Sequence, residues 1–155
     1  MMKIKNSKFD IFASVFSLLL LIGLTLYLLV FWDNIAQDIP SHYNGVGEAD
    51  IISSKTSLLF TLAVAWILFI GLTVIERYPQ IWNTGVTITE NNRERVYRTL
   101  KNMLNMIKLT LVGNFFYTII NSSLGLNLSP YFLPVFLILI FGTLTFFIVK
   151  LVKTK

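Results

Sequence analysis

The chain contains no cysteine and few charged residues, and each scarcity excludes a class of protein. The absence of cysteine excludes disulfide frameworks, thiolate metal sites and thiol nucleophiles. Charged residues make up only 14% of the 155 residues, whereas hydrophobic residues make up 55%. A soluble domain usually carries about a quarter charged residues, because its surface must be solvated. We therefore expect lipid, rather than water, to surround most of the chain.

Long stretches without charge predict four transmembrane helices. A helix needs roughly 20 apolar residues to cross about 30 Å of hydrocarbon. Two uncharged stretches each fit one crossing, and a third, residues 109–149, is long enough for two. The helix-breaking Asn, Ser, Gly and Pro residues of 121–130 divide that third stretch. The predicted spans lie near residues 11–32, 56–75, 106–123 and 131–150.

Basic residues fall almost entirely on one side of this arrangement. Twelve of the 13 Lys and Arg residues lie before span one, between the end of span two and the start of span three, or at the end of span four and beyond, and Lys55 lies opposite. Lys and Arg accumulate on the cytoplasmic side of membrane proteins. We therefore predict an all-α, multi-pass four-helix bundle in the cell membrane, with both termini cytoplasmic. Residues 1–155 form a single membrane domain without a sizeable soluble part.

The outer loop, residues 33–55, contains the residues best suited to binding. A loop longer than about 15 residues without its own secondary structure is usually functional or disordered. Turn-forming residues surround the single histidine of the chain here, and Asn44-Gly45 is a strong turn signal. The candidate binding residues are Pro40, His42, Asn44, Gly47, Glu48 and Asp50.

The residues of this loop can be interpreted in three ways, and the sequence does not decide between them. Its side chains can hydrogen-bond the backbone of the loop itself and cap the start of span two. They can instead contact an extracellular peptide or another membrane protein. One imidazole with several carboxylates can also bind a divalent cation. A single histidine with scattered acids is a weak metal signal, and we therefore expect neither a metal site nor a cofactor.

The spacing Pro40-x-His42-x-Asn44-x-x-Gly47-x-x-Asp50, directly after a first span, resembles domain-of-unknown-function family 1648. The residues after span two are also similar to that family, with Tyr78-Pro79-x-x-Trp82-Asn83 followed by Ile88-Thr89-Glu90-Asn91-Asn92-x-Glu94-x-x-Tyr97. This family forms the N-terminal membrane domain of immunity proteins against the bacterial sporulation-delay (cannibalism) toxin. The resemblance implies a bacterial membrane protein whose outer loop binds a peptide or membrane partner and confers toxin resistance or signalling.

Residues 76–105 are predicted to form a cytoplasmic loop and an amphipathic helix. Thr87-Ile88-Thr89-Glu90 matches a capping box and predicts the start of this helix. Apolar and basic residues follow at helical spacing, so the helix can lie on anionic lipid or dock a cytoplasmic protein. Membrane lipid is the expected partner. Nucleic acid is not, because the basic residues are few and lie beside the membrane.

Four polar residues recur at helical spacing in span three: Thr110, Asn114, Thr118 and Asn121. Polar side chains are costly in lipid, so this face should point into the bundle and form interhelical hydrogen bonds. A polar path is the alternative, and it would suit an accessory subunit or a small-solute permease. The uncharged stretches that define the spans contain no Lys, Arg, Asp, Glu or His, which argues against active transport or ion pumping. No catalytic motif occurs, so we do not expect an enzyme. The choice between monomer and homo-oligomer stays open.

Overall fold

Four long helices dominate the computed structural model, which describes residues 4–154. They are α1 (Lys8–Phe31), α2 (Ser57–Arg77), α3 (Arg93–Ser123) and α4 (Phe132–Val152). Short 3-10 turns follow α1 at Trp32–Asn34 and α2 at Pro79–Ile81. All four helices are long and apolar enough to cross a membrane. The predicted four-span helical architecture is therefore confirmed, and α1, α2 and α4 agree with the predicted spans to within a few residues.

The predicted all-α class is wrong in one respect, because the outer loop contains a small sheet. Strands β1 (Asp38–Tyr43) and β2 (Ala49–Ser54) pair antiparallel as a hairpin. The ladder is irregular on both sides of His42. Two six-residue strands, one of them containing Pro40, are too short and too irregular to show a clear alternating pattern in the sequence.

Helix α3 occupies the centre of the bundle, and α1, α2 and α4 all pack against it. It is the least hydrophobic of the four helices. Lipid cannot satisfy polar side chains, so the helix that carries most of them is the one that the others cover. The main apolar cluster joins Leu24 and Leu28 of α1, Leu58 and Leu62 of α2, and Ile119 of α3. Helix α4 is the most exposed of the four, with only Phe147 and Leu151 buried.

The start of α3 differs from the prediction. The helix begins at Arg93, beyond the predicted Thr87–Glu90 box. Thr89 and Asn92 exchange hydrogen bonds instead, with Thr89 N donating to Asn92 Oδ1 at 2.8 Å and Asn92 N donating to Thr89 Oγ1 at 3.2 Å. The Asn92 amide also donates to the Thr87 carbonyl. These bonds hold residues 87–92 in a turn, so the helix starts after them.

Helix α3 then runs without interruption to Ser123. The predicted amphipathic helix and span three are therefore one continuous helix rather than two segments. By contrast, α1 begins at a complete capping box, in which Ser7 and Asp10 satisfy each other's backbone N–H groups.

The two ends of the bundle have different chemistry. Near the start of α1, Asp10 contacts Arg98 of α3, and near the end of α4, Leu151 packs on Val96 and Leu100. The start of α1 and the end of α4 therefore lie at the same end of the bundle, which we call the termini end. The hairpin packs against the other end of α3, which we call the hairpin end.

Candidate functional site

The turn of the hairpin is anchored to the loop that joins α3 and α4. Leu128 N donates to the Gly47 carbonyl at 2.8 Å, and Ala49 N donates to Asn127 Oδ1 at 2.9 Å. Gly47 has a φ of +85°, which favours glycine. A Cβ at this position would lie 2.6 Å from the Leu128 carbonyl oxygen. Both the backbone conformation and this close approach therefore require glycine at position 47.

Strand β1 is anchored to the same region. The Tyr43 hydroxyl donates to the Leu126 carbonyl at 3.2 Å, and the Ser122 hydroxyl donates to the Pro40 carbonyl. Burial raises the pKa of the Tyr43 phenol above its usual value, so the group stays protonated and able to donate. These contacts join residues about 80 positions apart in the chain and fix the hairpin on the bundle.

His42 and Asp50 form an exposed pair on the two strands. His42 Nδ1 lies 2.6 Å from Asp50 Oδ1, and the two side chains are 62% and 42% exposed. An exposed pair of this kind contributes little to stability, typically about 0–1 kcal/mol even when both groups are charged. The pair therefore presents an imidazole and a carboxylate to the surroundings without being needed to hold the hairpin together.

Asn44 and Glu48 organise the turn instead. Asn44 Oδ1 accepts hydrogen bonds from the backbone N–H groups of Val46 and Glu48, both at 3.0 Å. Asn44 Nδ2 donates to Glu48 Oε2 at 3.2 Å. The interpretation in which loop side chains bond their own backbone thus describes Asn44. It does not extend to span two, because Thr56 at the start of α2 forms no side-chain cap.

The six candidate residues therefore divide into three groups with different roles. Pro40 and Gly47 contact the bundle, Asn44 and Glu48 shape the turn, and His42 with Asp50 faces outward. Within residues 4–154, no group of three or more His, Asp or Glu side chains is placed to hold a metal ion. The outward pair is the part of the set that is available to a ligand.

A cavity of about 270 Å³ lies beneath the hairpin, where β1 meets the ends of α2 and α3. Its lining includes His42 and Tyr43 from the hairpin. Hydroxyl groups and apolar side chains alternate on the remaining walls, which include Ser57, Thr61, Thr118, Ser122, Leu58, Ile119 and Phe132. Such a lining suits an uncharged or amphipathic group rather than an ion. No sequence pattern indicated this cavity, because its walls come from segments far apart in the chain.

Among residues 4–154, the predicted polar face of span three forms none of the expected interhelical hydrogen bonds. Thr118 Oγ1 donates to the Asn114 carbonyl at 3.0 Å, and Asn121 Nδ2 donates to the Tyr117 carbonyl at 2.8 Å, both within α3. Thr110 and Asn114 line a largely apolar groove of about 390 Å³ between α1, α3 and α4. A side chain in lipid can satisfy itself by bonding a carbonyl of its own helix, which removes the need for a neighbour.

The hydrogen bonds that do join the helices come from other residues. Trp66 Nε1 of α2 donates to Thr25 Oγ1 of α1 at 3.1 Å, and the hydroxyls of Tyr27 and Ser123 lie 3.0 Å apart. Thr25, Tyr27 and Trp66 are single polar groups within apolar stretches, without the repeated spacing that drew attention to span three.

A buried ionic network occupies the termini end, and sequence reasoning missed it. Asp10 accepts hydrogen bonds from Arg98 Nη1 at 2.7 Å and from Asn105 Nδ2 at 3.2 Å. Glu76 Oε2 lies 2.8 Å from Lys108 Nζ, and Glu76 Oε1 lies 3.5 Å from Lys101 Nζ. The network therefore links α1, α2 and α3 through charged groups.

Two expectations are corrected by this network. Lys108 lies inside predicted span three and is only 1% exposed, so the expectation of spans without ionisable residues is wrong. Arg98 and Lys101 contact carboxylates of the bundle, although the amphipathic pattern placed them on lipid. One sequence signal could have revealed this network. Three polar residues recur along one face of α3 at helical spacing, namely Lys101, Asn105 and Lys108.

Residues 19–68 match the family model described as domain of unknown function (DUF1648). The match spans the second half of α1, the hairpin and the first half of α2, and includes all six candidate residues. It confirms the resemblance to that family for this segment. No curated protein and no solved structure matches the chain.

Proposed function

We propose that the protein is a non-enzymatic binding protein of the bacterial cell membrane. Its hairpin end faces outward and binds a peptide or a membrane-protein partner, and this binding protects the cell or transmits a signal. The observation that carries the proposal is the exposed His42–Asp50 pair on a hairpin held rigidly above a cavity. A rigid site loses little conformational entropy when a ligand binds, which favours affinity.

The charge of the outer segment indicates the chemistry of the ligand. Residues 33–55 contain four acids and one lysine, a net charge of 1 − 4 = −3 with histidine neutral. Lys55 directs its ammonium group to the Trp32 and Ile35 carbonyls, at 2.9 and 3.3 Å. The acids of the hairpin thus dominate its surface, and a cationic or amphipathic peptide is the complementary ligand.

The outward orientation is supported by the basic residues, most of which belong to the termini end or its connections. Residues 19–68 match the domain-of-unknown-function family. The protective role is supported by the sequence resemblance to that family, which implies a role in toxin immunity. In this proposal the protein is an immunity protein that intercepts a peptide toxin at the outer surface of the membrane.

Survival of bacteria exposed to peptide toxins tests the proposal. Cells carrying the gene should survive better than cells without it, and His42→Ala or Asp50→Asn should abolish the difference. Asp33→Asn is the matched control, because it removes the same charge from an exposed position outside the hairpin. Equal survival with and without the gene, or full protection by His42→Ala, would refute the immunity role.

Photocrosslinking identifies the ligand independently of survival. Val46 is 56% exposed at the tip of the hairpin, so a photoreactive residue there should capture the bound peptide. Crosslinks should diminish in the Asp50→Asn background and persist in the Asp33→Asn background. Crosslinks that do not change in either background would show that the outward pair does not bind the captured molecule.

An accessory subunit or small-solute permease is the alternative function. The groove lined by Thr110 and Asn114 supports it, since α4 leaves that groove open toward lipid. Its mostly apolar walls suit a helix of a partner subunit better than a polar solute. Asn114→Leu should impair this function and leave toxin protection unchanged, whereas the hairpin variants should do the reverse.

A further inference from the structure

The ionic network at the termini end has more positive than negative charge. Its carboxylates are Asp10 and Glu76, and its cations are Arg98, Lys101 and Lys108. Two negative charges against three positive ones leave a surplus of 3 − 2 = +1. Lys101 and Lys108 are only 4% and 1% exposed, so bulk water screens this surplus poorly.

A cavity of about 600 Å³ with both apolar and charged residues in its lining adjoins the network and adds to its positive charge. Lys5 and Arg77 line it together with Lys101, Glu76, Asn6 and Tyr78. In the described part of the chain, neither Lys5 nor Arg77 forms a side-chain ion pair. Glu76, the acid in the lining, is already engaged by Lys101 and Lys108. The cavity therefore presents free cations and no free carboxylate.

The position of the cavity relates it to the lipid headgroups. Glu76 and Arg77 end the apolar stretch of α2, so the cavity lies where a membrane-spanning helix leaves the hydrocarbon. Val74 and Ile75, the preceding residues, are exposed large apolar side chains. A phospholipid can thus place its phosphate in the cavity while its acyl chains follow the outer surface of α2. Basic pockets at helix ends bind anionic headgroups in this way.

We infer that this cavity is a binding site for the phosphate of an anionic phospholipid, held by Lys5 and Arg77 beside the surplus charge of the ionic network. The site is at the opposite end of the molecule from the hairpin, and it does not depend on the proposed function. The lipid supplies the negative charge that the protein lacks, and it ties the end of α2 to the segment before α1.

Native mass spectrometry of the full-length protein, purified in detergent with added lipid, tests the inference. The protein should retain phosphatidylglycerol in preference to phosphatidylcholine. Lys5→Gln with Arg77→Gln should weaken phosphatidylglycerol binding by about 25-fold, which is about fivefold for each cation at about 1 kcal/mol per charge. Lys150→Gln with Lys153→Gln is the matched control, since it removes the same charge at the same end, away from the cavity, and should change binding less than twofold.

Three outcomes would overturn the inference. Equal retention of the two lipids would show that the cavity does not select an anionic headgroup. An equal loss of phosphatidylglycerol binding in the test and control variants would show that the lipid is attracted diffusely to the basic end rather than bound in the cavity. Displacement of phosphatidylglycerol by millimolar inorganic phosphate would identify a soluble phosphate as the ligand. Thermal unfolding of the unmodified protein provides a readout that needs no variant, and phosphatidylglycerol should raise its Tm while phosphatidylcholine should not.

Discussion

Glu76→Gln should destabilise the bundle more than any other single removal of a carboxylate charge outside the capping box. Glutamine has nearly the same shape as glutamate, so the change removes charge without creating a cavity. Lys108 would then have the neutral glutamine amide oxygen, the Ser14 hydroxyl at 2.9 Å and the Phe69 ring at 5.8 Å near its ammonium group, and none of them carries a negative charge. Lys101 would lose one of its two carboxylate contacts.

The magnitude follows from the burial of the lysine. Removing one partner of a buried ion pair leaves an uncompensated charge and typically costs about 3–5 kcal/mol. Lys108 is 1% exposed and cannot move into water without unpacking α3 from α1. We therefore expect a loss of about 3 kcal/mol or more in the free energy of unfolding. Reversible unfolding of the purified protein in mixed micelles, followed by circular dichroism, measures it.

Two further variants make this experiment decisive. Glu90→Gln makes the same chemical change at an exposed residue and should alter stability by less than about 0.5 kcal/mol. Adding Lys108→Met to Glu76→Gln should recover much of the loss, because an apolar replacement for a buried ion pair is often neutral or stabilising. If Glu76→Gln is as stable as the unmodified protein, the buried pair is not formed and the reasoning fails.

Two predictions concern the hairpin. Gly47→Ala should loosen it by about 1–3 kcal/mol, because the position has a positive φ and abuts the Leu128 carbonyl, whereas Gly45→Ala meets no neighbour and should change little. Hydrogen exchange of the hairpin amides compares the two, and equal protection would contradict the close approach of Gly47 to Leu128. Tyr43→Phe should cost about 1 kcal/mol by removing the bond to Leu126. Burial raises the pKa of the Tyr43 phenol. The stabilisation by this hydrogen bond should therefore be complete when the pH is below the usual tyrosine pKa of about 10, and it should disappear as the pH rises through the raised pKa. The assignment predicts that, above the raised pKa, the hairpin amides lose hydrogen-exchange protection in the unmodified protein relative to Tyr43→Phe. If the difference between the two proteins does not change with pH, the assignment is refuted.

The sequence alone correctly predicted four helices that are long and apolar enough to cross a membrane. The free energy of placing a residue in lipid depends mainly on that residue and its immediate neighbours along the chain. Residues 11–32 and 56–75 therefore indicate their spans without reference to the rest of the molecule. The turn near Asn44-Gly45 was also indicated, because turn formers around His42 are a local signal, but the strands on either side of it were not.

The roles of those residues depended on contacts between distant segments. Position 47 requires glycine because a Cβ there would collide with the Leu128 carbonyl. The charge of Asp10 is compensated by Arg98, which lies 88 positions away in the chain. No local pattern encodes such pairs, and periodicity identified Thr118 and Asn121 as interhelical donors although each bonds its own helix.

Composition by itself thus determined that the chain has four apolar helices and a more polar segment between the first two, because burial in lipid is decided residue by residue. Only the tertiary structure decided which polar groups meet. It joined Lys108 to Glu76 within the bundle and left His42 and Asp50 facing outward. Pairing energies depend on distance and on the exclusion of water, and both are properties of the packed chain rather than of any segment.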